Sequence, residues 1–517
     1  MFLTQGLHRA VQQNPSRVAT IFGARHRTYA EQYDRVARLA GGLQAVGVAM
    51  GDRVAMLSLN SDYYCEYFLG VPWAGGVLNP VNIRWSESEI AYSLNDSGTS
   101  VLLVDDAFLA AVPGLTFLCP QITTVIHCGQ RETPPGLVNV EELIHTSAPV
   151  DDAYRHGDDL AGVFYTGGTT GFPKGVMLSH TNLITSALGA LSTGFSVTAG
   201  GRVLHSAPMF HSADFAGWVQ QSLMGGTQVM VPRFDPVDVL EAVSRDRITD
   251  MVLVPTMIQI IADHPDVLDY DVSSLKTVLY GGSPIPAAVL SRAADVFPGV
   301  RFTQVYGMTE LSTVATLLAP DDHRSDGPRP ERLRSAGKAA PHCDIRILDA
   351  NGRAVPTGVV GEIVVRGAHT TSGYWNKPEE TAEALRHGWM HTGDVGHFDE
   401  DGYLFVDDRI KDMIVTGGEN VYSVEVEAAI AQHPSIANVA VIGVPDRRWG
   451  ERVHAVVVLR QGCELTAADV SNHAKSLIAG YKAPRSVDFV DALPMTGTGK
   501  VLKRRIKSDF EAERASP

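Results

Sequence analysis

The sequence predicts an α/β protein: a large N-terminal domain of doubly wound α/β subdomains, then a small β-barrel-like or antiparallel unit, then a small α+β C-terminal domain. Three observations predict this. Short apolar runs at 54–57, 101–104, 124–126, 229–231, 251–254 and 277–279 alternate with stretches of helical period, the pattern of parallel strands buried on both faces. From about Cys343 the texture changes to closely spaced strands at 344–348, 361–366 and 403–406, separated by Gly- and Asp-bearing turns. Beyond the charged stretch Asp407-Asp408-Arg409-Ile410-Lys411-Asp412 the chain alternates helices and strands in a segment of one-domain length.

In chain order, Thr28-Tyr29-Ala30-Glu31 has capping-box form and opens a helix whose apolar or small residues recur at Tyr33, Val36, Ala37, Ala40 and Leu43, with a stop at Gly47. The 54–57 strand follows Gly51-Asp52-Arg53. After the charged stretch, Ser423 is the expected cap of a helix with Glu425 and Glu427 in its first turn, where the helix dipole favours acids. Strands at 438–444 and 454–459, a helix at 466–477 and a strand at 487–490 complete the last unit. The expected domains are 1–410 and 411–517.

The 517 residues exceed what one hydrophobic core supports, so at least two domains are expected. With 58 acidic and 43 basic residues the formal charge is -15, and no basic stripe is present, which argues against a nucleic-acid partner. Five scattered cysteines (Cys65, Cys119, Cys128, Cys343, Cys463) show no C-x-x-C spacing and suggest neither a zinc site nor a disulfide framework. There is no apolar run of 18 residues and no basic leader followed by an apolar core, so a cytoplasmic protein without a transmembrane segment is expected. Oligomeric state is left open, a homodimer among the options.

The stretch Tyr165-Thr166-Gly167-Gly168-Thr169-Thr170-Gly171-Phe172-Pro173-Lys174-Gly175 holds four glycines, three threonines and one lysine. Glycines let backbone N–H groups approach an anion, threonine hydroxyls add donors, and the lysine supplies a point charge against a polyphosphate. It is not a P-loop, because Pro173 and Gly175 flank the lysine where that pattern needs Gly and Ser/Thr. Alone, it reads equally as a cradle or a turn.

Six further stretches carry chemistry. Gly281-Gly282-Ser283-Pro284 follows a strand, where open α/β sheets bind ligands, although a plain turn has the same composition. Tyr306-Gly307-Met308-Thr309-Glu310 groups an aromatic face, a hydroxyl and a carboxylate, suited to a base, a phosphate and Mg2+. Trp389-Met390-His391-Thr392-Gly393-Asp394 ends in an acid able to accept from ribose hydroxyls, and Arg409 in the charged stretch could reach a ribose or phosphate. Thr416-Gly417-Gly418-Glu419-Asn420 could pass a narrow ligand close to the backbone, and Thr496-Gly497-Thr498-Gly499-Lys500 mounts a lysine on a glycine-rich loop. Each alone has a bland reading as a turn or a solvated face.

In their joint order these motifs resemble the adenylate-forming superfamily over essentially the whole chain, and more narrowly its AMP-forming acyl-CoA synthetases. The resemblance implies two half-reactions with ATP, Mg2+ and coenzyme A: acyl-AMP and pyrophosphate form first, then coenzyme A displaces AMP. Carried over, Thr166, Gly167, Gly168, Thr169, Thr170, Gly171 and Lys174 would hold the β- and γ-phosphates. Thr309 would meet the α-phosphate and Glu310 the Mg2+. Gly282, Ser283, Pro284, Tyr306 and Gly307 would frame the adenine. Asp394 and Arg409 would hold the ribose, Lys411 would be the hinge of a mobile C-terminal domain, Gly417 and Gly418 would line the pantetheine channel, and Lys500 would bridge carboxylate and α-phosphate. Gly167 departs from the family, which usually has Ser or Thr there. The missing donor is worth about 1.5–3 kcal/mol at most, so weaker ATP binding is expected and not a dead site.

His211 matches the family histidine beside the acyl group. Phe210, Phe215 and Trp218 with the small Ala213, Ala216 and Gly217 suggest an apolar cavity for a hydrophobic acid, medium-chain, branched or aryl. No Arg or Lys lies between His205 and Trp218, which disfavours a dicarboxylate, and Asp214, three residues from His211, leaves an amino acid disfavoured. Two alternatives stand beside the ligase: an adenylation enzyme loading a carrier protein, and a nucleotide-sensing protein with a decayed site. The presence of Lys174, Glu310 and Lys500 argues against decay.

Overall fold

The fold is seen in a computed structural model that describes residues 1–166, 173–323, 329–416, 419–496 and 501–515. The chain forms two compact units: Met1–Ser283, Val289–Ile345 and Val365–Met390 make the first, and Pro284–Ala288, Arg346–Val364 and His391–Pro517 the second.

The first unit contains two sheets. One has seven strands in the order Val138–Asn139, Thr124–His127, Val101–Val104, Arg53–Leu57, Val77–Pro80, Leu160–Thr166, Lys174–Ser179. Its pairings are parallel except the last, where Leu160–Thr166 runs antiparallel to Lys174–Ser179. The other has nine strands in the order Lys338–Ala339, Thr316–Leu318, Arg301–Tyr306, Thr277–Gly281, Asp250–Leu253, Arg202–His205, Thr227–Met230, Val18–Phe22, Arg25–Thr28. It too is parallel through its centre, with antiparallel strands at both edges. All six apolar runs noted in the sequence are therefore parallel strands. The short Val18–Phe22 and Arg25–Thr28 were not anticipated.

The helix Tyr29–Ala45 begins at the expected capping box, with Thr28 and Glu31 satisfying each other's backbone N–H groups. The core is built around Asp62–Trp73, in which every residue is buried. Such a helix shows no amphipathic period, so its packing is not legible in the sequence. Its Phe68 ring lies 4.6 Å from Phe215 and 5.0 Å from Trp218.

A five-stranded sheet, in the order Asp344–Leu348, Gly361–Arg366, Trp389–Phe398, Leu385–Arg386 with Leu404–Arg409 on Trp389–Phe398, stands where the small antiparallel sheet or barrel was expected. Within the second unit, Gly450–Leu459 is central to a further sheet. It pairs antiparallel with Ile436–Asp446 and Ile414–Thr416 and parallel with Ser486–Phe489. Side chains of Ile436–Asp446 alternate as a strand requires: Val439 and Val441 pack with Val426 and Val470 of the helices Ser423–Ile430 and Ala467–Leu477. Ala440, Ile442 and Val444 face Ile506 and Phe510 of Lys503–Ala515.

One expected cap is corrected. Ser423 is the first residue of its helix, not the cap. Its backbone N–H donates to the carboxylate of Asp408, and its hydroxyl reaches the other oxygen at 3.1 Å. A buried carboxylate from the strand Leu404–Arg409 thus satisfies the helix N-terminus, and burial pushes that carboxyl up despite Lys503 nearby.

Candidate active site

The antiparallel pair Leu160–Thr166 and Lys174–Ser179 sets Thr166 opposite Lys174 in register. The cradle residues Gly167, Gly168, Thr169, Thr170 and Gly171 lie outside the described residues. The base of the pair is anchored by Asp96 of the helix Glu87–Ser97: its carboxylate accepts from Tyr165 Oη at 2.6 Å, and its carbonyl from Trp375 Nε1 at 2.9 Å.

Lys174 Nζ lies 5.1 Å from the centroid of the Tyr374 ring, a cation–π distance. The Tyr374 hydroxyl donates to Glu310 Oε1 at 2.9 Å, and burial with the Glu310 charge raises the phenol strongly, so it stays a donor. Glu310 and Thr309 are buried in the turn Thr309–Leu311. The Thr309 hydroxyl shares a hydrogen bond of 2.8 Å with Ser212 at the start of the helix Ser212–Met224. Lys174, Tyr374 and Glu310 on one side and Thr309 with Ser212 on the other therefore form one row, joined through the Thr309–Glu310 backbone.

Local backbone explains the row. Gly307 follows the strand Arg301–Tyr306 and must be glycine, because a Cβ there would stand 2.1 Å from the Thr313 carbonyl oxygen. Ser312 and Thr313 then take φ of 46° and 78°, folding the turn back. Thr371 N–H donates to the Glu310 carbonyl at 2.8 Å and Ser312 Oγ to the His369 carbonyl at 2.9 Å, which stitches this turn to the segment carrying Tyr374. Next to it, Gly281 pairs with Val305 in parallel register, so Gly282, at φ 85°, and Ser283 leave the sheet at the same strand-end edge as Tyr306. Ligands of open α/β sheets bind at that edge.

His211 is the N-cap of Ser212–Met224, and its Nδ1 accepts from Ala213 N–H at 3.2 Å. The helix corrects the reading of the acyl segment. Phe215 and Trp218 are fully buried in the aromatic core with Phe68, and Gly217 packs against Val252; of the three, Trp218 borders a small interior pocket with Leu7, Tyr29, Gln32 and Ser222. The accessible face of this segment is carried by Ala213 and Ala216. Asp214 is buried against His205 Nδ1 at 2.7 Å, with Gln228 Oε1 on Nε2 at 2.7 Å. Burial pulls the imidazolium down, but the Asp214 charge and the two hydrogen bonds outweigh it and raise His205. Asp214 is thus already partnered inside the fold.

In the second unit, Asp394 and Arg409 stand opposite in antiparallel register, with Arg409 Nε 3.1 Å from Asp394 Oδ1. Lys411 is exposed in the turn after that strand. Pro284 also belongs to the second unit. Gly417, Gly418 and Lys500 lie outside the described residues. The residues that sequence reasoning missed are Tyr374 and Ser212. Tyr374 had only a weak signal, an aromatic pair with Trp375 after Gly373, and nothing in the sequence tied it to Glu310.

Residues 7–375 match the model of the AMP-binding enzyme family and residues 425–500 that of the AMP-binding enzyme C-terminal domain. The chain belongs to this adenylate-forming family. It is 41% identical to a feruloyl-CoA synthase of Amycolatopsis sp over 504 residues, covering 97% of this chain and 98% of that one. It is 35% identical to a medium/long-chain-fatty-acid–CoA ligase of Mycobacterium tuberculosis, covering 97% and 89%. An ATP-bound structure of MatB from Rhodopseudomonas palustris superposes with a TM-score of 0.88 at 29% identity, covering 99% of each chain. These near-full-length similarities support an ATP-binding, AMP-forming acid–thiol ligase of the acyl-CoA synthetase type. Among the described residues, no helix is long and apolar enough to cross a membrane.

Proposed function

We propose that the chain activates a hydrophobic monocarboxylic acid of the aryl class with ATP and Mg2+ and transfers the acyl group to coenzyme A. The observation that carries this reading is the connected row Lys174, Tyr374, Glu310, Thr309 and Ser212 beside the strand ends. In the first half-reaction a carboxylate oxygen attacks the α-phosphorus and the bond to pyrophosphate breaks. In the second, the coenzyme A sulfur attacks the acyl carbonyl carbon, AMP leaves, and the thiol proton is lost to solvent.

Lys174 and Thr166, with the loop they flank, draw charge from the β- and γ-phosphates, and Thr309, oriented by Ser212, donates to the α-phosphate. Glu310 fits a hard cation, being an anionic oxygen donor fixed by the Tyr374 hydroxyl in a buried turn. Mg2+ held there would neutralise charge on the phosphates. Gly282, Ser283, Pro284, Tyr306 and Gly307 are assigned to adenine, Asp394 and Arg409 to ribose, and Lys411 to the hinge. Gly417 and Gly418 are assigned to pantetheine, Lys500 to the adenylation step and His211 to the acyl carboxylate. The acid class rests on the 41% identity to the feruloyl-CoA synthase. It also rests on the engagement of Asp214 with His205, which removes the carboxylate an amino-acid ammonium would need.

The test is pyrophosphate exchange over a panel of aryl, branched and medium-chain acids, followed by thioester formation on free coenzyme A and on a phosphopantetheinyl carrier protein. An aryl acid is expected to show the highest kcat/KM, with thioester on free coenzyme A. A medium-chain acid leading by tenfold refutes the aryl class, and thioester on the carrier alone refutes the acceptor.

A further inference from the structure

Behind the turn that carries Glu310, three soft or borderline donors meet. His342 and Cys343, adjacent in sequence, face His369 from a segment 26 residues further on, and one donor atom from each lies within 4.8 Å of the others. The donors converge on one spot: His342 Nε2 is 3.1 Å and Cys343 Sγ 3.6 Å from the Val314 carbonyl oxygen, and His369 Nε2 is 3.4 Å from Cys343 Sγ. His369 is fully buried, and the Nδ1 atoms of both histidines are buried with no hydrogen-bond partner.

The surroundings are shaped for the two imidazoles. A Cβ on Gly189 would stand 1.8 Å from His342 Nδ1, and one on Gly367 2.5 Å from His369 Nδ1, so any side chain at either position displaces a ring. The rings meet edge to face, 4.5 Å apart at 88°, with His342 Nε2 at the Val314 carbonyl and His369 Nε2 at the Cys343 thiol.

We propose that His342, Cys343 and His369 bind one thiophilic d10 metal ion, Zn2+ or Cu+, distinct from the Mg2+ assigned to Glu310. Thiolate and imidazole select such ions over hard cations. Tetrahedral zinc with bonds of about 2.3 Å to sulfur and about 2.0–2.1 Å to nitrogen sets its ligand atoms roughly 3.3–3.7 Å apart, so the Cys343–His369 separation fits and His342 needs to move by about an ångström. The Val314 carbonyl or water completes the coordination. On binding, the thiol proton leaves to solvent as the sulfur–metal bond forms. The ion would be structural: Val314 lies just past the Glu310 turn in the chain, and His369 lies in the segment that ends in Tyr374, so the metal clamps the two strips that hold the Glu310–Tyr374 hydrogen bond.

The test uses the full chain, stripped of metal by chelator under reducing conditions and held in excess Mg2+ to fill hard-cation sites. In one arm Zn2+, and in another anaerobic Cu+, is titrated against a chromogenic chelator, with Co2+ as a spectroscopic probe of the zinc arm. Wild type should retain one equivalent at submicromolar affinity in at least one arm. Cys343→Ser and His369→Gln should weaken it at least 100-fold, and Cys343→Ser should remove the thiolate-to-cobalt charge-transfer band. Cys463→Ser, at the other partly exposed cysteine, should change nothing. A melting temperature of metal-free Cys343→Ser equal to that of metal-free wild type guards against misfolding, and His342→Asn provides a second route should that variant not fold. Equal retention by wild type and the three ligand variants in both arms, or loss on Cys463→Ser, overturns the proposal.

Discussion

Tyr374→Phe removes one oxygen from the row that carries the proposed chemistry and leaves the rest in place. The ring still lies under Lys174, at 5.1 Å from Nζ, but the 2.9 Å bond to Glu310 is gone. A hydrogen bond to a charged group contributes about 1.5–3 kcal/mol, which at about 1.36 kcal/mol per tenfold is roughly a 10- to 150-fold effect. The lower half of that range is expected, because water can reach a half-buried tyrosine site and take over the contact. The loss should appear as a raised Mg2+ requirement in pyrophosphate exchange, partly recovered at excess Mg2+, since the hydroxyl orients the carboxylate and does not itself touch phosphate. Glu310→Ala should show the same phenotype more severely, and the double variant should be no worse than Glu310→Ala, because Tyr374 acts through it. Exchange within twofold of wild type at limiting Mg2+, or a double variant that multiplies the two losses, refutes the coupling.

Other consequences follow from separate parts of the chain. Lys500→Ala should lose about 100- to 1000-fold or more in adenylation and leave thioester formation from synthetic acyl-AMP nearly intact, with equal losses in the two assays counting against its role. Ala213→Leu, on the accessible face of its helix, should reduce kcat/KM for long or bulky acids and spare small ones. Gly217→Leu, whose Cβ would meet Val252 at 2.7 Å, should lower the melting temperature instead, and a swap of these two phenotypes would place the acyl pocket elsewhere. Asp214→Asn should cost about 3–5 kcal/mol, as removing one partner of a buried ion pair does. Because the folded His205 value is raised, the pair's contribution is fully present below about pH 6.5 and fades as pH rises through the folded value, so urea midpoints of wild type and variant should converge toward alkaline pH.

The α/β architecture was legible because parallel strands buried on both faces must be short apolar runs, and 101–104, 124–126 and 277–279 are visible without any partner. The same held for the Thr28 capping box and the alternation in Ile436–Asp446, where the signal and its physical cause lie within a few neighbouring residues. Motifs whose chemistry is local, such as Thr309 and Glu310, could likewise be named from the chain. Tertiary structure alone decided what lies across from them. Tyr374 reaches Glu310 over 64 residues, Ser212 reaches Thr309 over 97, and Asp408, not Ser423, serves a helix N-terminus 15 residues away. It also turned Phe215 and Trp218 from presumed pocket walls into core, since an apolar side chain reads the same in sequence whether it faces a ligand or another ring. Cysteine spacing gave no hint of the His342–Cys343–His369 cluster, because only the meeting of two distant segments makes a donor set. Sequence encodes periodicity and local chemistry directly, whereas the pairing of distant polar groups is fixed by how sheets and turns pack, and no local pattern records it.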